Sequence, residues 1–315
     1  MKNRVARTAV CVVACLWLGA ASAGSLAPIS QVISFGDSLS DTGNLFELTG
    51  GAIPPEPQYF EGRSSNGPVW VELLSVDLGV TLDSYAYAGA QTGTGNINGS
   101  FPGLVELVDE FEARLAGGQA DTGALYTGWI GSNTFCQTWF IPGVDDPEEF
   151  IERGVTETIT AIDRLLGLGA QKILVVNLPD LGLTPRGRQT GFGPLLSQFT
   201  DDWNLALATN LPQAPGLRTL DVAGFLRAAV DDPDFFGITN VEDGCLFVGC
   251  NQQVLDPALD PDGFLFWDGV HPTRVTHAIV ADLAYEAVLV PVPSALLMLG
   301  SALGLLGGFR RGRAD

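Results

Sequence analysis

Phe35-Gly36-Asp37-Ser38-Leu39-Ser40-Asp41-Thr42-Gly43-Asn44 follows the apolar run Gln31 to Ser34, so an uncharged serine stands where a buried strand gives way to a polar turn. In an open α/β sheet, reactive groups collect at the carboxyl ends of parallel strands, where the backbone turns outward and helix N-termini face a developing negative charge. Gly-Asp-Ser by itself also reads as an ordinary turn. What distinguishes this one is Trp267-Asp268-Gly269-Val270-His271-Pro272-Thr273 near the other end of the chain. There an aspartate and a histidine lie three residues apart, just before a long helical pattern.

A serine hydroxyl is a poor nucleophile until a neighbouring base takes its proton, and a histidine does so near neutral pH when a carboxylate fixes its tautomer. The chain has only two histidines, His271 and His277. His277 falls inside the helix expected after Pro272 and reads as a core or surface residue. His271 precedes that helix, on a loop beside Asp268. Ser38, Asp268 and His271 are therefore the candidate catalytic set.

At this point the sequence resembles the GDSL or SGNH hydrolases, over nearly all of the chain between about Gln31 and Leu289. Their four blocks supply a Ser, a Gly, an Asn and a His. The first block is Phe35 to Asn44 and the last is Trp267 to Thr273. Ser84-Tyr85-Ala86-Tyr87-Ala88-Gly89-Ala90-Gln91-Thr92 is similar to the second and Trp129-Ile130-Gly131-Ser132-Asn133-Thr134 to the third. The resemblance thus implies Gly89 and Asn133 as oxyanion donors beside the Ser38 N–H. It also implies a three-layer α/β/α sandwich with a parallel sheet of about five strands. The roles make physical sense: attack on an ester builds an oxyanion, which Gly89 can meet with an unobstructed backbone N–H and Asn133 with its amide. Two positions depart from the family pattern. Ala88-Gly89 stands for the usual Gly-Gly, and Thr134 for the Asp that usually follows the asparagine. Thr134 lacks a carboxylate to hold the Asn133 loop, so Thr134→Asp is expected to be neutral or beneficial.

Composition bounds the rest. With 315 residues, 46% of them hydrophobic, the chain can bury a substantial core in one large domain. A net charge of −20 argues against a nucleic-acid partner, because so acidic a surface repels phosphate backbones and anionic lipid alike. A lipid ester would have to be held by local apolar contacts. No Cys, His and acid cluster has metal-ligand spacing and no glycine-rich phosphate loop opens a helix, so no cofactor is expected.

Both termini read as processing signals. Lys2, Arg4 and Arg7 precede the apolar run Ala9 to Ala20, and Ala21-Ser22-Ala23 offers small residues for cleavage, which makes 1–23 a secretory signal peptide. The domain then runs over 24–289. In 290–315, Val290-Pro291-Val292-Pro293 is followed by an apolar run from Ala295 to Phe309 and by Arg310, Arg311 and Arg313. That order resembles the PEP-CTERM sorting tails handled by an exosortase. A simple membrane anchor is the alternative, although the run is short for a span. Together these features place the protein in the cell envelope or outside the cell. With Cys11 and Cys15 set aside in the signal region, Cys245 and Cys250 enclose a short loop and can pair in an oxidising compartment, which leaves Cys136 as an odd thiol.

Strand patterns at Gln31 to Gly36, Thr81 to Ala88, Leu125 to Gly131, Lys172 to Asn177 and Leu217 to Val222 alternate with helical ones. The helices fall at Leu104 to Leu115, Glu148 to Leu168, Leu196 to Leu211 and Pro272 to Val288, the last with its proline in the first turn. This order predicts a parallel sheet with helices on both faces. Leu45 to Gly67, with Tyr59 and Phe60, and Asp231 to Phe266, with Phe235, Phe236, Phe247, Phe264 and Phe266, lack periodicity and read as walls of a substrate pocket. The whole implies an exported esterase or lipase acting on a small-molecule or lipid ester through an acyl-serine intermediate. Alternatives are a polysaccharide O-acetylesterase, an acyltransferase, or a surface-displayed binding protein that keeps the fold without the chemistry.

Overall fold

The computed structural model describes residues 28–139, 147–251, 254–255 and 259–289. The expected leader and tail lie outside them, and the Cys136 side chain is likewise not described. Five strands, β1 (Gln31–Gly36), β2 (Thr81–Ser84), β3 (Leu125–Trp129), β4 (Lys172–Val176) and β5 (Leu217–Leu220), form one sheet in the order β2-β1-β3-β4-β5. Every pair is parallel. Seven longer helices accompany them: α1 (Trp70–Leu78), α2 (Leu104–Leu115), α3 (Ser132–Trp139), α4 (Pro147–Leu168), α5 (Gly193–Asn210), α6 (Val222–Asp231) and α7 (Arg274–Leu289).

Alternation along the strands divides the core in two. Val32, Leu125, Leu174 and Val176 face α1, α6 and α7 through Trp70, Leu74, Phe225 and Val280. Ile33, Phe35, Tyr126, Ile173 and Val175 face α2, α4 and α5 through Leu107, Phe111, Val155, Ile162 and Trp203. A strand buried on both faces has to be apolar at successive positions, which is why these segments read as near-continuous apolar runs. The result is a three-layer α/β/α sandwich around a five-stranded parallel sheet, as the resemblance implies.

Phe35, the last large residue before the Gly36-Asp37-Ser38 turn, stacks on Tyr85 at 5.2 Å between ring centroids and meets Phe111 edge-on at 5.7 Å. Burying such a ring is worth about 2–3 kcal/mol, so the strand end that carries Ser38 is held firmly. The winding of the sheet reverses between β1 and β3, the neighbouring strands whose ends lead to Ser38 and Asn133. In doubly wound sheets a crevice opens at that place.

Several boundaries differ from the sequence reading. β2 ends at Ser84 instead of Ala88, although Tyr85 N and Tyr87 N still donate to the Ser34 and Gly36 carbonyls of β1; on its other edge Asn44 Nδ2 donates to the Ser84 and Ala86 carbonyls, and Asp41 Oδ2 accepts the Ala88 N–H. Helix α7 begins at Arg274, so Pro272 lies outside it. The Pro272 carbonyl accepts the Ser65 hydroxyl, and the Thr273 hydroxyl instead accepts the Thr276 N–H at 3.3 Å at the helix start. The Asp231 to Phe266 stretch contains a short strand, Asn240–Gly244, parallel to Phe264–Phe266. Cys245 and Cys250 beside it are joined as a disulfide.

Candidate active site

The turn after β1 is built around two aspartates. Ser40 N and Asp41 N donate to the Asp37 carbonyl and Leu39 N donates to Asp37 Oδ1 at 3.0 Å, closing a tight turn over Ser38. Asp41 is fully buried and accepts four backbone N–H groups, from Gly43, Asn44 and Leu45 in its own segment and from Ala88 in the next. It ties the Ser38 turn to the loop that carries Gly89.

The second half of the site arrives 233 residues later. Trp267 N donates to the His271 carbonyl, which closes the Asp268 to His271 loop, and Asp268 Oδ1 accepts the Val270 and His271 N–H groups at 2.9 and 2.8 Å. Asp268 Oδ2 faces His271 Nδ1 at 2.7 Å, and His271 Nε2 faces Ser38 Oγ at 2.9 Å. A carboxylate cannot donate, so Nδ1 carries the proton and Nε2 is left as the acceptor for the serine hydroxyl. Tyr59 donates its hydroxyl to Asp268 Oδ2 at 2.8 Å.

Electrostatics sharpen these roles. Burial pushes Asp268 upward, but the nearby His271 charge, its hydrogen bond and the two backbone N–H groups outweigh this and hold the carboxyl at about 2. For His271 burial acts downward, and the attraction and hydrogen bond of Asp268 more than reverse it, so the imidazole is more basic than usual. Burial raises Asp37 to about 7, only partly offset by the Leu39 N–H and by His271. His277 sits in the core, 1% exposed, accepting the Trp70 N–H at 3.3 Å; burial and the neighbouring His271 charge depress it to about 3.

Gly89 and Asn133 converge on Ser38 from β2 and β3, and all three border one open basin of about 540 Å³. Gly89 has φ +84°, and a Cβ there would collide with Asn96 Oδ1 and Asn98 Nδ2. Those two amides hold the Ala88 carbonyl at 2.9 and 3.0 Å, fixing the peptide that ends in the Gly89 N–H. Asn133 spends one amide hydrogen on the Ala90 carbonyl at 3.1 Å, leaving the other for the site. Thr134, the departure from the family pattern, is buried and accepts the Thr92 N–H at 2.9 Å.

Two spaces meet at Ser38. The open basin is walled by Ile53, Pro55, Tyr59, Asn98 and Arg186. A smaller cavity of about 70 Å³ runs under the site, lined by Val222, Phe225, Leu226, Phe266 and Val280. The expectation that Leu45 to Gly67 forms a pocket wall thus has Ile53 to Tyr59 in place. Of the five phenylalanines named in the later stretch only Phe266 lines either space, while Phe235 and Phe247 are 79% and 65% exposed. Among the described residues no three His, Cys, Asp or Glu side chains are grouped to hold a metal ion.

A serine, an imidazole and a carboxylate in hydrogen-bonded series, beside two convergent N–H donors on a parallel α/β sheet, define a serine-hydrolase type of site. Residues 32–284 match the GDSL-like Lipase/Acylhydrolase family, and the chain belongs to it as an ester-hydrolysing enzyme. It is 28% identical to the phosphatidylcholine-sterol acyltransferase of Aeromonas hydrophila, over 87% of this chain and 95% of that protein. It is 25% identical to a GDSL esterase/lipase of Arabidopsis thaliana, over 86% and 94%. Among solved structures, Axe2, an acetylxylan esterase from Geobacillus stearothermophilus, superposes with TM-score 0.44 and 15% identity over 84% of this chain and 98% of that one.

Asp41 and Asn44 have no role in the sequence reading, and Tyr59 has only that of a pocket wall. Asp41 and Asn44 had a signal, since they sit three and six residues beyond Ser38 in the same polar turn. The bond from Tyr59 to Asp268 had none, because its partner lies 209 residues away.

Proposed function

We propose that the protein is an exported carboxylic-ester hydrolase working through an acyl-serine intermediate. Ser38 Oγ attacks the ester carbonyl while His271 Nε2 takes its proton. The Ser38 N–H, the Gly89 N–H and Asn133 Nδ2 receive the oxyanion. Asp268 stabilises the imidazolium, which then protonates the leaving alcohol, and water repeats the sequence on the acyl-serine. The observation that carries this reading is the unbroken series from Asp268 through His271 to Ser38 Oγ, at 2.7 and 2.9 Å.

Two further features extend it. The enclosed apolar cavity suits the acyl chain of a small-molecule or lipid ester, and the broad basin suits the alcohol. The leader pattern at 1–23 and the Cys245–Cys250 disulfide support export, with the 290–315 tail as a sorting segment for an exosortase-like partner in the cell envelope. A second reading, transfer of the acyl group to an alcohol instead of water, is favoured by the Aeromonas relative, which is named an acyltransferase and aligns over nearly its whole length.

The test is a panel of acetyl to long-chain esters, phospholipid and acetylated polysaccharide, with and without an added sterol or primary alcohol, run on wild type and Ser38→Ala. Ser38-dependent release of acid supports hydrolysis, and Ser38-dependent formation of a new ester supports transfer. Undiminished turnover by a folded Ser38→Ala protein overturns both.

A further inference from the structure

Next to Asn133, where the family usually places an aspartate, this chain has Thr134. A carboxylate is nevertheless present one step further out. Thr92 Oγ1 donates to Glu157 Oε2 of α4 at 2.6 Å and lies 3.0 Å from Thr134 Oγ1, while Thr92 N donates to that same Thr134 oxygen at 2.9 Å. The Thr92 hydroxyl gives its hydrogen to the Glu157 carboxylate, and its oxygen also meets the Thr134 hydroxyl at 3.0 Å. The same carboxylate packs closely on Gly93, where a Cβ would lie 2.6 Å from Glu157 Oε1.

The series joins the two segments that carry the oxyanion donors. Thr92 follows Gly89 and Ala90 by a few residues, and Thr134 follows Asn133 directly. Asn133 Nδ2 donating to the Ala90 carbonyl forms a second rung between the same segments. Both threonines are buried, at 0% and 4% exposure, so these bonds are sheltered from competing water.

We propose that Glu157 is a positioning residue for Asn133, acting through Thr92 and Thr134 and supplying from α4 the carboxylate that the third block lacks. The inference rests on the catalytic reading above, in which Asn133 Nδ2 receives the oxyanion. It reverses the expectation for Thr134→Asp: a second carboxylate would face Glu157 across the Thr92 hydroxyl, which has one proton to give.

The test is steady-state hydrolysis of p-nitrophenyl acetate by the whole chain, with Ser38→Ala as the blank and thermal unfolding followed in parallel. Glu157→Ala should lower kcat about tenfold with KM within about twofold of wild type, and Glu157→Gln, which keeps an acceptor oxygen, should lose less. Glu157→Ala added to Asn133→Ala should cost almost nothing beyond Asn133→Ala alone, since both act through one donor. Thr134→Asp should lower kcat about tenfold, and adding Glu157→Gln should restore most of it. Ser38-dependent turnover in which the Glu157 and Asn133 losses multiply, or in which Thr134→Asp is harmless, overturns the proposal and leaves the catalytic reading standing. Wild-type turnover that equals the Ser38→Ala blank overturns both. A loss that merely follows the unfolding temperature reduces Glu157 to a structural role and also overturns the proposal.

Discussion

Tyr59 donates its hydroxyl to Asp268 Oδ2, the same oxygen that faces His271 Nδ1, at 2.8 and 2.7 Å. The phenol draws on the charge that orients the histidine. Burial and the adjacent Asp268 push the Tyr59 hydroxyl well above its usual range, so it stays a neutral donor at any working pH. Tyr59→Phe should therefore free more of the Asp268 charge for His271 and raise the imidazole pKa further. The acid limb of kcat/KM is expected to move to higher pH, with a loss of about 1–2 kcal/mol in stability from the missing hydrogen bond to a charged group. An acid limb that stays in place, read from a pH–rate profile, would show that Tyr59 only packs.

The two histidines should separate cleanly. His271→Ala removes the base and should lower kcat by roughly 10³-fold or more. His277→Ala leaves the Trp70 N–H without its acceptor and should cost about 1–3 kcal/mol in unfolding free energy, with kcat per folded molecule unchanged. Chemical denaturation combined with rates normalised to folded protein decides the matter. Comparable losses of kcat from both would mean that the base is wrongly assigned.

Asp37 should make the protein less stable as pH rises. Its carboxyl is raised from 3.8 to about 7 in the folded protein, so between those values the native state keeps a proton that the unfolded chain has released. Stability falls through that window, by roughly 2–4 kcal/mol if the whole shift is expressed. His277 acts oppositely below its ordinary value, because its depressed pKa means that acid favours the unfolded chain. Asp37→Asn retains an oxygen for the Leu39 N–H and cannot ionise, so its stability relative to wild type should rise between pH 5 and pH 8. A constant difference across that range would refute the titration.

Acyl selectivity should respond to the small cavity alone. Val222→Phe places a ring in the space bounded by Phe225, Leu226 and Val280. The ratio of butyrate to acetate ester turnover is expected to drop about tenfold, as for the loss of room for a methylene or two. Tolerance of large alcohols, assigned above to the basin, should not change. An unchanged chain-length profile, or a change in alcohol preference instead, would reverse the assignment of the two spaces.

Much of the site could be read from the chain because it depends on local chemistry. Ser38 is placed by a strand followed by a polar turn, and Asp268 and His271 by a three-residue spacing whose loop is closed by their own backbone. The cores of β1 and α2 were equally legible, since their periodicity is uninterrupted. What escaped depends on distant partners. The segment after β2 is held on its outer edge by Asp41 and Asn44, which reach across 47 and 40 residues to bond its backbone. Glu157 meets Thr92 from 65 residues away, and nothing in the pattern of an amphipathic helix marks that one acid among its neighbours.

The separation of 233 positions between Ser38 and His271 also determines when the protein can act. The proposed nucleophile sits in the turn after β1 and its proposed base in the loop before α7, with Ser65 bonding Pro272 and Trp70 bonding His277 across the same stretch of sequence. A chain emerging amino end first carries the serine long before it carries anything able to activate it. Reactivity thus waits until residue 271 has been made, and a polypeptide cut anywhere short of it retains a hydroxyl with no base to activate it.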